Sequence, residues 1–449
     1  PAGVLPVHDR RPDSSESLAQ RRRHRFGGCV RLSYREPLEL VRGWMQYLYD
    51  ANGRRFLDAY NNVPHVGHCH PRVVEAVSRQ LRLLNTNTRY LNQIVIDYAD
   101  RLAACCPAPL DVCFLLNSAS EANELALRLA RAATGGTDVL VTEGAYHGNT
   151  TTLIDVSPYK HLGPGGSGPA DWVQTVPLAD DYRGPYRRET GDAGERYASD
   201  VVEAIRSLQS RGRRLGAWLA ETCPSVAGQI MFPAGYLASV YRAVREAGGV
   251  TIADEVQTGL WRLGDVCFAF ETEGVVPDIL VLGKPLGNGM PLAAVVTTRS
   301  IAERFDRGME FFSTFGGNPG SCAAGLAVLQ VLGDEQLADR ARLVGERLRK
   351  GFKDLQVRHE MIGDVRGRGL FWGLELVRNR ETLETADEEA ESVVEFLKAR
   401  GVLIGRDGLH HNVLKIRPPM PFDEANADVL CAVLDEAFNH LARWASVAG

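Results

Sequence analysis

The feature that most restricts the fold is an alternation of short β-rich runs with helical patterns along the middle of the chain. Apolar runs that predict strands lie at Asp111–Leu116, Val139–Thr142, Ala217–Glu221, Gly249–Asp254 and Ile279–Leu282. This alternation predicts an α/β fold, in which a mostly parallel sheet is covered by helices on both faces. In such sheets, ligands bind at the carboxyl ends of the strands.

Polar side chains occur at or just past these predicted strand ends: Ser118, Tyr146, Glu221, Asp254 and Lys284. Their coincidence is a stronger signal than any one of them. Lys284 stands between two apolar runs, where burial would lower its pKa and make the amine available to an aldehyde. For an isolated lysine, the alternative is a side chain that extends from a loop into solvent.

The segment Asn117–Asn123 leads from the first predicted strand into a helix predicted over Glu124–Ala133. Ser118 followed by Glu121 is a capping-box pattern. A helix start with free backbone N–H groups and the hydroxyls of Ser118 and Ser120 suits a phosphate group. The alternative is an ordinary N-cap without a ligand.

The remaining segments outline the domain organisation. Trp44–Tyr60 predicts a β-hairpin around the Asn52-Gly53 turn, and Pro158–Gly194 predicts a long loop. Residues 1–30, with the basic run Arg21–Arg25, predict an irregular and solvated arm.

The end of the chain predicts a second, α+β domain. Its amphipathic helices and short strands are predicted at Glu335–Leu355, Leu370–Val377, Ala386–Arg400 and Val413–Arg417. We therefore assign residues 1–75 to an N-terminal arm and part of the small domain, 76–325 to the large domain, and 326–449 to the C-terminal small domain.

Composition argues against several function classes. The 449-residue chain has a net charge of −5, which gives no general attraction to nucleic acid or anionic membrane, and no apolar run approaches the roughly 20 residues that span a bilayer. Its nine cysteines are scattered and odd in number, so we expect a reducing, cytoplasmic location. His65, His68, Cys69 and His70 lack a second ligand cluster at zinc spacing, so we expect no metal site.

A phosphorylated aldehyde with a ring nitrogen would use the strand-end residues together. Lys284 would form its imine, Asp254 would keep the ring nitrogen protonated, Ser118–Ser120 would bind the phosphate, and Tyr146 would stack on the ring. The protonated ring would be an electron sink for a carbanion. Once displaced from the imine, Lys284 would be the general base at the substrate carbon next to nitrogen.

Two neighbours of Asp254 complete this predicted site. Val256 could pack on the ring face opposite Tyr146, and Gln257 could hydrogen-bond the ring hydroxyl.

At these residues the chain resembles the class III (ω-type) aminotransferase family, which binds pyridoxal 5′-phosphate (PLP). Asn117–Asn123 resembles the phosphate-binding S-G-S-E-A-N element, with Ala119 in place of the usual Gly. Tyr146-His147-Gly148 resembles the ring-stacking motif, and Asp254–Gly259 matches D-E-V-Q-x-G. Lys284 lies 30 residues after Asp254, where the family has its imine lysine.

The resemblance has implications for fold and assembly. It implies PLP-dependent fold type I, with a large domain around a mostly parallel sheet and a smaller α+β domain built from both chain ends. It also implies a homodimer or homotetramer with active sites at the dimer interface, where Thr314 of Thr314–Pro319 reaches the cofactor phosphate of the neighbouring subunit. The catalytic residues would be Lys284, Asp254 and Glu221. The cofactor-binding residues would be Ser118, Ala119, Ser120, Tyr146, His147, Asp254, Val256, Gln257, Lys284 and Thr314.

One departure from the family pattern bears on the reaction. Typical members bind a substrate carboxylate with an Arg three residues before a Pro-Pro pair, and this chain has Lys415 there. Lysine cannot form the planar, bidentate pair that a carboxylate favours, but it is a good point charge for phosphate.

Together with the segments 61–71 and 84–91, this position resembles a narrower branch, the ethanolamine-phosphate and 5-phosphohydroxy-lysine phospho-lyases. The substrate phosphate would then be bound by residues of these loops and of the C-terminal motif. We predict Asn61, His65, Arg89, Lys415 and Arg417 for this role, although each could instead be a loop-stabilising residue.

Three functions follow from the sequence. The leading one is a PLP-dependent phospho-lyase that releases phosphate, ammonia and an aldehyde from O-phosphoethanolamine or a related phosphorylated amine. The first alternative is an ω-aminotransferase that transfers an amino group to a keto acid. The second is a non-catalytic PLP-binding protein, against which the intact Lys284, Asp254 and Glu221 argue.

Overall fold

The computed structural model of the protein describes residues 17–448. The strands are β1 (Leu40–Trp44), β2 (Tyr47–Asp50), β3 (Arg55–Asp58), β4 (Leu110–Leu116), β5 (Asp138–Thr142), β6 (Val173–Val176), β7 (Leu215–Glu221), β8 (Val250–Asp254), β9 (Ile279–Leu282), β10 (Ala293–Thr298), β11 (Ile362–Arg368), β12 (Phe371–Leu376), β13 (Val402–Leu403), β14 (Gly405–Asp407) and β15 (Val413–Ile416). The helices are α1 (Leu18–Arg25), α2 (Pro71–Leu83), α3 (Gln93–Ala103), α4 (Ala119–Thr134), α5 (Thr151–Asp155), α6 (Pro158–His161), α7 (Ala193–Ser210), α8 (Tyr236–Glu246), α9 (Arg299–Phe305), α10 (Pro319–Asp334), α11 (Leu337–Arg358), α12 (Asp387–Ala399) and α13 (Glu424–Ala448).

The central sheet has seven strands in the order β4-β10-β9-β8-β7-β5-β6. The five strands from β9 to β6 are parallel, and β10 runs antiparallel to both of its neighbours. The prediction of a mostly parallel sheet is therefore confirmed. The carboxyl ends of β4, β5, β7, β8 and β9 consequently meet at one edge, where the predicted strand-end residues lie.

Both faces of this sheet are covered because its strands carry apolar side chains on each side. On one face Leu219 packs in a core that includes Leu125 and Leu129 of α4. On the other face Trp218 packs edge-on against Tyr236 and Tyr241 of α8, at ring-centroid distances of 6.5 and 5.8 Å. This layered packing fixes α4, and hence its N-terminus, against the edge where the site forms.

Both ends of the chain contribute to the smaller, α+β part of the fold. One four-stranded sheet has the order β1-β2-β3-β13, so a C-terminal strand completes an N-terminal hairpin, and a second has the order β11-β12-β15-β14. The predicted hairpin is present as β2 and β3, which pair antiparallel. The predicted domain boundary at 325/326 falls inside α10, so a division there would cut a helix; the domain assignment itself stays a prediction.

Two predictions of irregular structure were wrong. The segment Pro158–Gly194 contains β6, which adds a parallel edge strand to the central sheet beside β5. The basic run Arg21–Arg25 lies on α1, which Ser17 caps through the N–H of Gln20 and which buries none of its residues. The part of the predicted arm before residue 17 lies outside the described residues. No helix within residues 17–448 is long and apolar enough to cross a membrane.

Candidate active site

A cavity of about 260 Å³ lies at the carboxyl edge of the central sheet. Ten of the predicted site residues line it: Ser118, Ala119, Ser120, Tyr146, His147, Glu221, Asp254, Val256, Gln257 and Lys284. Its lining also includes residues that were not predicted: Val63, Asn117, Gly148, Gly283, Gly289, Met290, Pro291 and Leu292. The topology thus brings into one cavity residues that are up to 229 positions apart in sequence, from Val63 to Leu292.

Asp254, at the end of β8, is buried and held by three donors. Its Oδ2 accepts hydrogen bonds from Asn123 Nδ2 and from the ring N–H at His147 Nδ1, both at 2.9 Å, while Oδ1 accepts from the N–H of Val256 at 3.2 Å. Charge-assisted bonds of this kind hold a carboxylate in one orientation. The arrangement presents a fixed negative charge, which suits a protonated ring nitrogen.

Lys284 follows β9 and is half-buried. Burial lowers the pKa of its amine, and the nearby Arg417 lowers it further, while Asp254 and Glu221 act in the opposite direction. A lysine in this setting is more readily neutral than one in water, which is the state that attacks an aldehyde or accepts a proton.

The start of α4 forms the expected helix-terminal site, with one difference from the predicted capping box. Ser118 Oγ accepts from the N–H of Glu121 at 3.2 Å, but the carboxylate of Glu121 accepts from the N–H of Asn117 at 2.8 Å and not from that of Ser118. First-turn N–H groups have no partner within a helix, so those of Ala119 and Ser120 are available to an anion at the cavity wall.

Tyr146, Val256 and Gly283 all line the cavity, and we call the part that they line the ring slot. A Cβ atom added to Gly283 would lie 2.9 Å from Ala119 Cβ and 3.4 Å from the Val256 methyl groups, so a side chain there would crowd both residues. Tyr146 makes an edge contact with Tyr159, at a centroid distance of 6.2 Å. These residues could hold a flat ring, and together with Asp254 and the α4 terminus they fit PLP.

Gln257 links the ring slot to a buried cation. Its Oε1 accepts from Asn62 Nδ2 at 2.9 Å and from Arg417 Nη1. With the amide oxygen occupied in this way, the amide nitrogen of Gln257 is oriented as a donor, as a ring hydroxyl would require.

Arg417 is buried beside the cavity, with its guanidinium over the ring of Tyr60 at 5.9 Å. Nη1 also donates to Ser225 Oγ at 3.4 Å, while the buried Nε has no partner among the described residues. Burial lowers the pKa of this guanidinium. An unpartnered, buried N–H of a cation is costly to maintain, so this edge suits an anionic ligand.

Glu221 lies beside Asp254, since the two residues are in register at the ends of β7 and β8. Its Oε2 accepts from the N–H of Ser225 at 3.0 Å, whereas Oε1 is buried and has no partner within residues 17–448. Burial, and secondarily the charge of Asp254, raise the pKa of Glu221 to about 7. A carboxyl group with this pKa can hold or release a proton near neutral pH.

Lys415 is not the free point charge that the sequence suggested. Its ammonium forms an ion pair with Asp407, which stands on the neighbouring strand β14. Burial, and then the charge of Arg417, lower the pKa of Lys415 to about 8. The charge of Lys415 is therefore already balanced by a carboxylate, and its role in binding substrate stays a prediction.

Four other predicted residues lie outside the cavity lining. His65 is fully buried, with Nε2 2.8 Å from the carbonyl oxygen of Leu260 and Nδ1 accepting from Arg262, so we no longer expect it to bind substrate. Asn61 donates to Asp58 at 3.0 Å and stabilises its own loop.

The remaining two, Arg89 and Thr314, are on the surface. Arg89 pairs with the exposed Glu310 at 3.2 Å and stacks over Phe312, and Thr314 is exposed. Neither reaches the cavity of its own chain, so roles for them would need a second subunit.

The three histidines of the 65–70 loop have separate partners: His65 as above, His68 with Asp58 at 2.7 Å, and His70 with Glu335 at 3.0 Å. In the described part of the chain, no group of three or more His, Cys, Asp or Glu side chains could hold a metal ion.

Sequence reasoning missed four residues that build this site. Asn123 lies in a predicted motif, and its polar side chain at a core-facing helix position was the available signal. Asn62 and Tyr60 follow the hairpin without a motif of their own, and Asp407 resembles a surface charge on a short strand. Their roles depend on pairings across 131, 195, 357 and 8 positions, respectively, which a linear pattern does not show.

Comparison with known proteins places this geometry in context. The model of the class III aminotransferase family matches residues 33–438. An alanine–glyoxylate aminotransferase 2-like protein of Drosophila melanogaster is 45% identical, covering 92% of this chain and 85% of its own. The ethanolamine-phosphate phospho-lyase homolog 1 of Caenorhabditis elegans is 40% identical, covering 96% and 95%. A solved phospholyase from Arthrobacter, in complex with phosphoethanolamine, superposes with a TM-score of 0.90 at 41% identity, covering 94% and 99%.

Proposed function

The chain belongs to the class III aminotransferase family, and we propose that it is a PLP-dependent phospho-lyase acting on O-phosphoethanolamine or a related phosphorylated amine. The products would be an aldehyde, ammonia and phosphate. The observation that carries the proposal is the buried Arg417 beside the cavity, whose Nε has no partner among the described residues. The likeness to the Arthrobacter phospholyase solved with phosphoethanolamine supports the same substrate chemistry.

Members of this family depend on PLP, and the cavity has the groups that would hold it. Lys284 would bind its aldehyde, Asp254 its ring nitrogen, the start of α4 its phosphate, and Tyr146 with Val256 the two ring faces. When bound, PLP supplies an electron sink for the charge left on the substrate carbon next to nitrogen.

Lys284 would move the first proton. Its lowered pKa favours the neutral amine, which removes a proton from the substrate carbon next to nitrogen. Asp254, fixed by Asn123 and His147, holds its negative charge in place throughout the reaction. Glu221 lies close enough to Asp254 for the two charges to interact. Because the pKa of Glu221 is about 7, its carboxyl group is neutral below that pH and adds no second negative charge beside Asp254.

Arg417 would bind the leaving phosphate. Gln257 and Ser225 occupy Nη1 and so orient the guanidinium, while its remaining N–H groups are available to phosphate oxygens. Guanidinium groups bind phosphate through two parallel hydrogen bonds, which stabilises negative charge as the C–O bond breaks. Phosphate leaves far more readily than hydroxide, so this contact favours elimination over transfer.

We further propose a homodimer in which each site is completed by the neighbouring subunit. Large apolar side chains are exposed around Arg89 and Thr314: Leu83, Tyr90, Leu91 and Phe315. Exposed apolar patches of this kind mark interaction surfaces. In such a pair Thr314 would contact the cofactor phosphate, and Arg89 the substrate, of the other subunit. A cytoplasmic location stays a prediction from the scattered, odd cysteines.

Incubating the purified holoenzyme with O-phosphoethanolamine tests the proposal directly. We expect acetaldehyde, ammonia and inorganic phosphate in equal amounts. Turnover of amines that depends on pyruvate, without phosphate release, would refute the phospho-lyase function. That outcome would support the ω-aminotransferase alternative, for which the Drosophila aminotransferase-like relative is the specific observation.

The third possibility, a non-catalytic PLP-binding protein, is tested by the Lys284→Ala variant. If the protein's biological activity persisted in a variant that cannot attach the cofactor aldehyde, catalysis would not be its role.

The Arg417→Lys variant tests the phosphate contact. Lysine keeps the positive charge but loses the planar fork, so we expect KM for O-phosphoethanolamine to rise at least about tenfold. Arg378→Lys is the matched control, because Arg378 is an exposed partner of Glu389 that does not line the cavity. An unchanged KM in Arg417→Lys would place the phosphate elsewhere.

A further inference from the structure

The ion pair between Lys415 and Asp407 is a feature that the proposed reaction does not use. Lys415 lies on β15 and Asp407 on β14, and the two strands pair antiparallel. The Lys415 side chain is 6% exposed and that of Asp407 19%. A buried ion pair is seldom needed for stability, since apolar residues of similar size often serve as well.

Asp407 lies near the site because its strand, β14, passes Tyr60: a Cβ atom added to Gly405 would lie 2.3 Å from the Tyr60 ring, which Arg417 covers. The charge of Asp407 opposes the lowering of the pKa of Lys284, which lines the cavity, and of Arg417 beside it. It also contributes to the raised pKa of Tyr60, whose ring lies under Arg417. The carboxylate therefore belongs to the same electrostatic environment as the substrate.

The pair determines how many anionic groups the substrate end can bind. Arg417 contacts Gln257, Ser225 and Tyr60, none of which is a carboxylate, so its charge is available to a ligand. The charge of Lys415 is balanced by Asp407. Of these two cations, one is balanced and one is available, so together they can bind one phosphate but have no charge left for a second anionic group.

We infer that Asp407, by neutralising Lys415, is a specificity-determining residue that excludes substrates with a carboxylate on the reacting carbon. This inference rests on the proposed phospho-lyase function. A carboxylate next to the amine would have to be desolvated near Asp407 while the charge of Lys415 is already balanced, and like charges placed together are unfavourable. The accepted substrates are then phosphorylated amines whose amine-bearing carbon is a CH₂ group.

Two substrates that differ only in this carboxylate separate its effect from those of the amine and the phosphate. O-Phosphoethanolamine and O-phospho-L-serine carry the same amine and the same phosphate on the adjacent carbon. In each, a C–H bond next to nitrogen loses its proton, the C–O bond to phosphate breaks, and water hydrolyses the resulting enamine. The products are acetaldehyde from the first and pyruvate from the second, each with one ammonia and one phosphate.

The experiment compares kcat/KM for the two substrates in the holoenzyme and in Asp407→Asn. We expect the wild type to favour O-phosphoethanolamine strongly. Freeing Lys415 in Asp407→Asn should raise the ratio for O-phospho-L-serine over O-phosphoethanolamine by at least about tenfold, mainly through KM. The double variant Asp407→Asn/Lys415→Gln restores a pair without net charge, so its ratio should return toward that of the wild type.

Lys415→Gln alone gives an independent test if Asp407→Asn does not fold. It leaves Asp407 unbalanced, so KM for O-phosphoethanolamine should rise and activity on O-phospho-L-serine should fall further. An unchanged substrate ratio in Asp407→Asn, or the same ratio in the single and double variants, would overturn the inference. A wild type that releases no phosphate from O-phosphoethanolamine would instead refute the proposed function, so the two failures are distinguishable.

Discussion

Glu221→Gln removes a carboxyl group whose pKa is raised by burial to about 7 from its ordinary 4.5. A carboxyl group with a raised pKa keeps its proton in the folded protein after the unfolded chain has released it. Stability therefore falls as pH rises from about 4.5 to about 7, and the full difference corresponds to roughly 3 kcal/mol. Glutamine carries no such proton, so the variant should escape this loss.

The measurement is thermal unfolding of the cofactor-free protein, because a bound cofactor would change the charges around Glu221. Between pH 5 and pH 8 the free energy of unfolding of the wild type should fall by roughly 2–3 kcal/mol more than that of Glu221→Gln. For a chain of this length, this difference corresponds to about 2–3 °C in Tm. Glu246→Gln, at an exposed position, controls for loss of a carboxylate as such. Parallel pH dependence in wild type and Glu221→Gln would show that Glu221 titrates like an ordinary carboxyl group.

Three further predictions concern the cofactor groups. Lys284→Ala should abolish phosphate release, and borohydride reduction should no longer add the mass of the cofactor to the protein. The control Lys160→Ala removes the lysine near Tyr146 and should still gain this mass. A mass increase in Lys284→Ala would refute the assignment. Asp254→Asn should lower kcat at least about a hundredfold while the variant still binds the cofactor, because a fixed charge is lost; a kcat within a few-fold of wild type would contradict this. Gly283→Ala should weaken cofactor binding by crowding Ala119 at 2.9 Å, and Ala119→Gly in the same chain should restore much of it, as measured by equilibrium dialysis; no rescue would exclude that contact as the cause.

Much of the fold could be predicted because the central strands are short, mostly apolar and separated by helical patterns. Strands β7, β8 and β9 begin or end within two residues of their predicted bounds. Strand β6 was missed because Val173–Val176 lies in a Gly- and Pro-rich stretch and becomes a strand only by pairing with β5. A four-residue edge strand has little periodicity of its own, and its partner supplies the hydrogen bonds.

The substrate end was less predictable than the cofactor end. Asp254, Tyr146 and Lys284 could be predicted because each stands at a strand end, where the parallel topology forces convergence. The sequence predicted His65 and Lys415 as binding residues from their type, but burial against Leu260 and pairing with Asp407 decide what they contact. These contacts join segments that come together only in the folded chain.

The sequence by itself therefore determined the sheet, the residues at its carboxyl edge and the chemistry that those residues support. It did so because strand length, apolar runs and motif spacing are local properties. Only the tertiary structure decided which cations are available to a ligand, since a charge is free or balanced according to its neighbours in space. Lys415 and Arg417 are two positions apart in the same motif, yet Asp407 balances the first while the second keeps an unpartnered N–H.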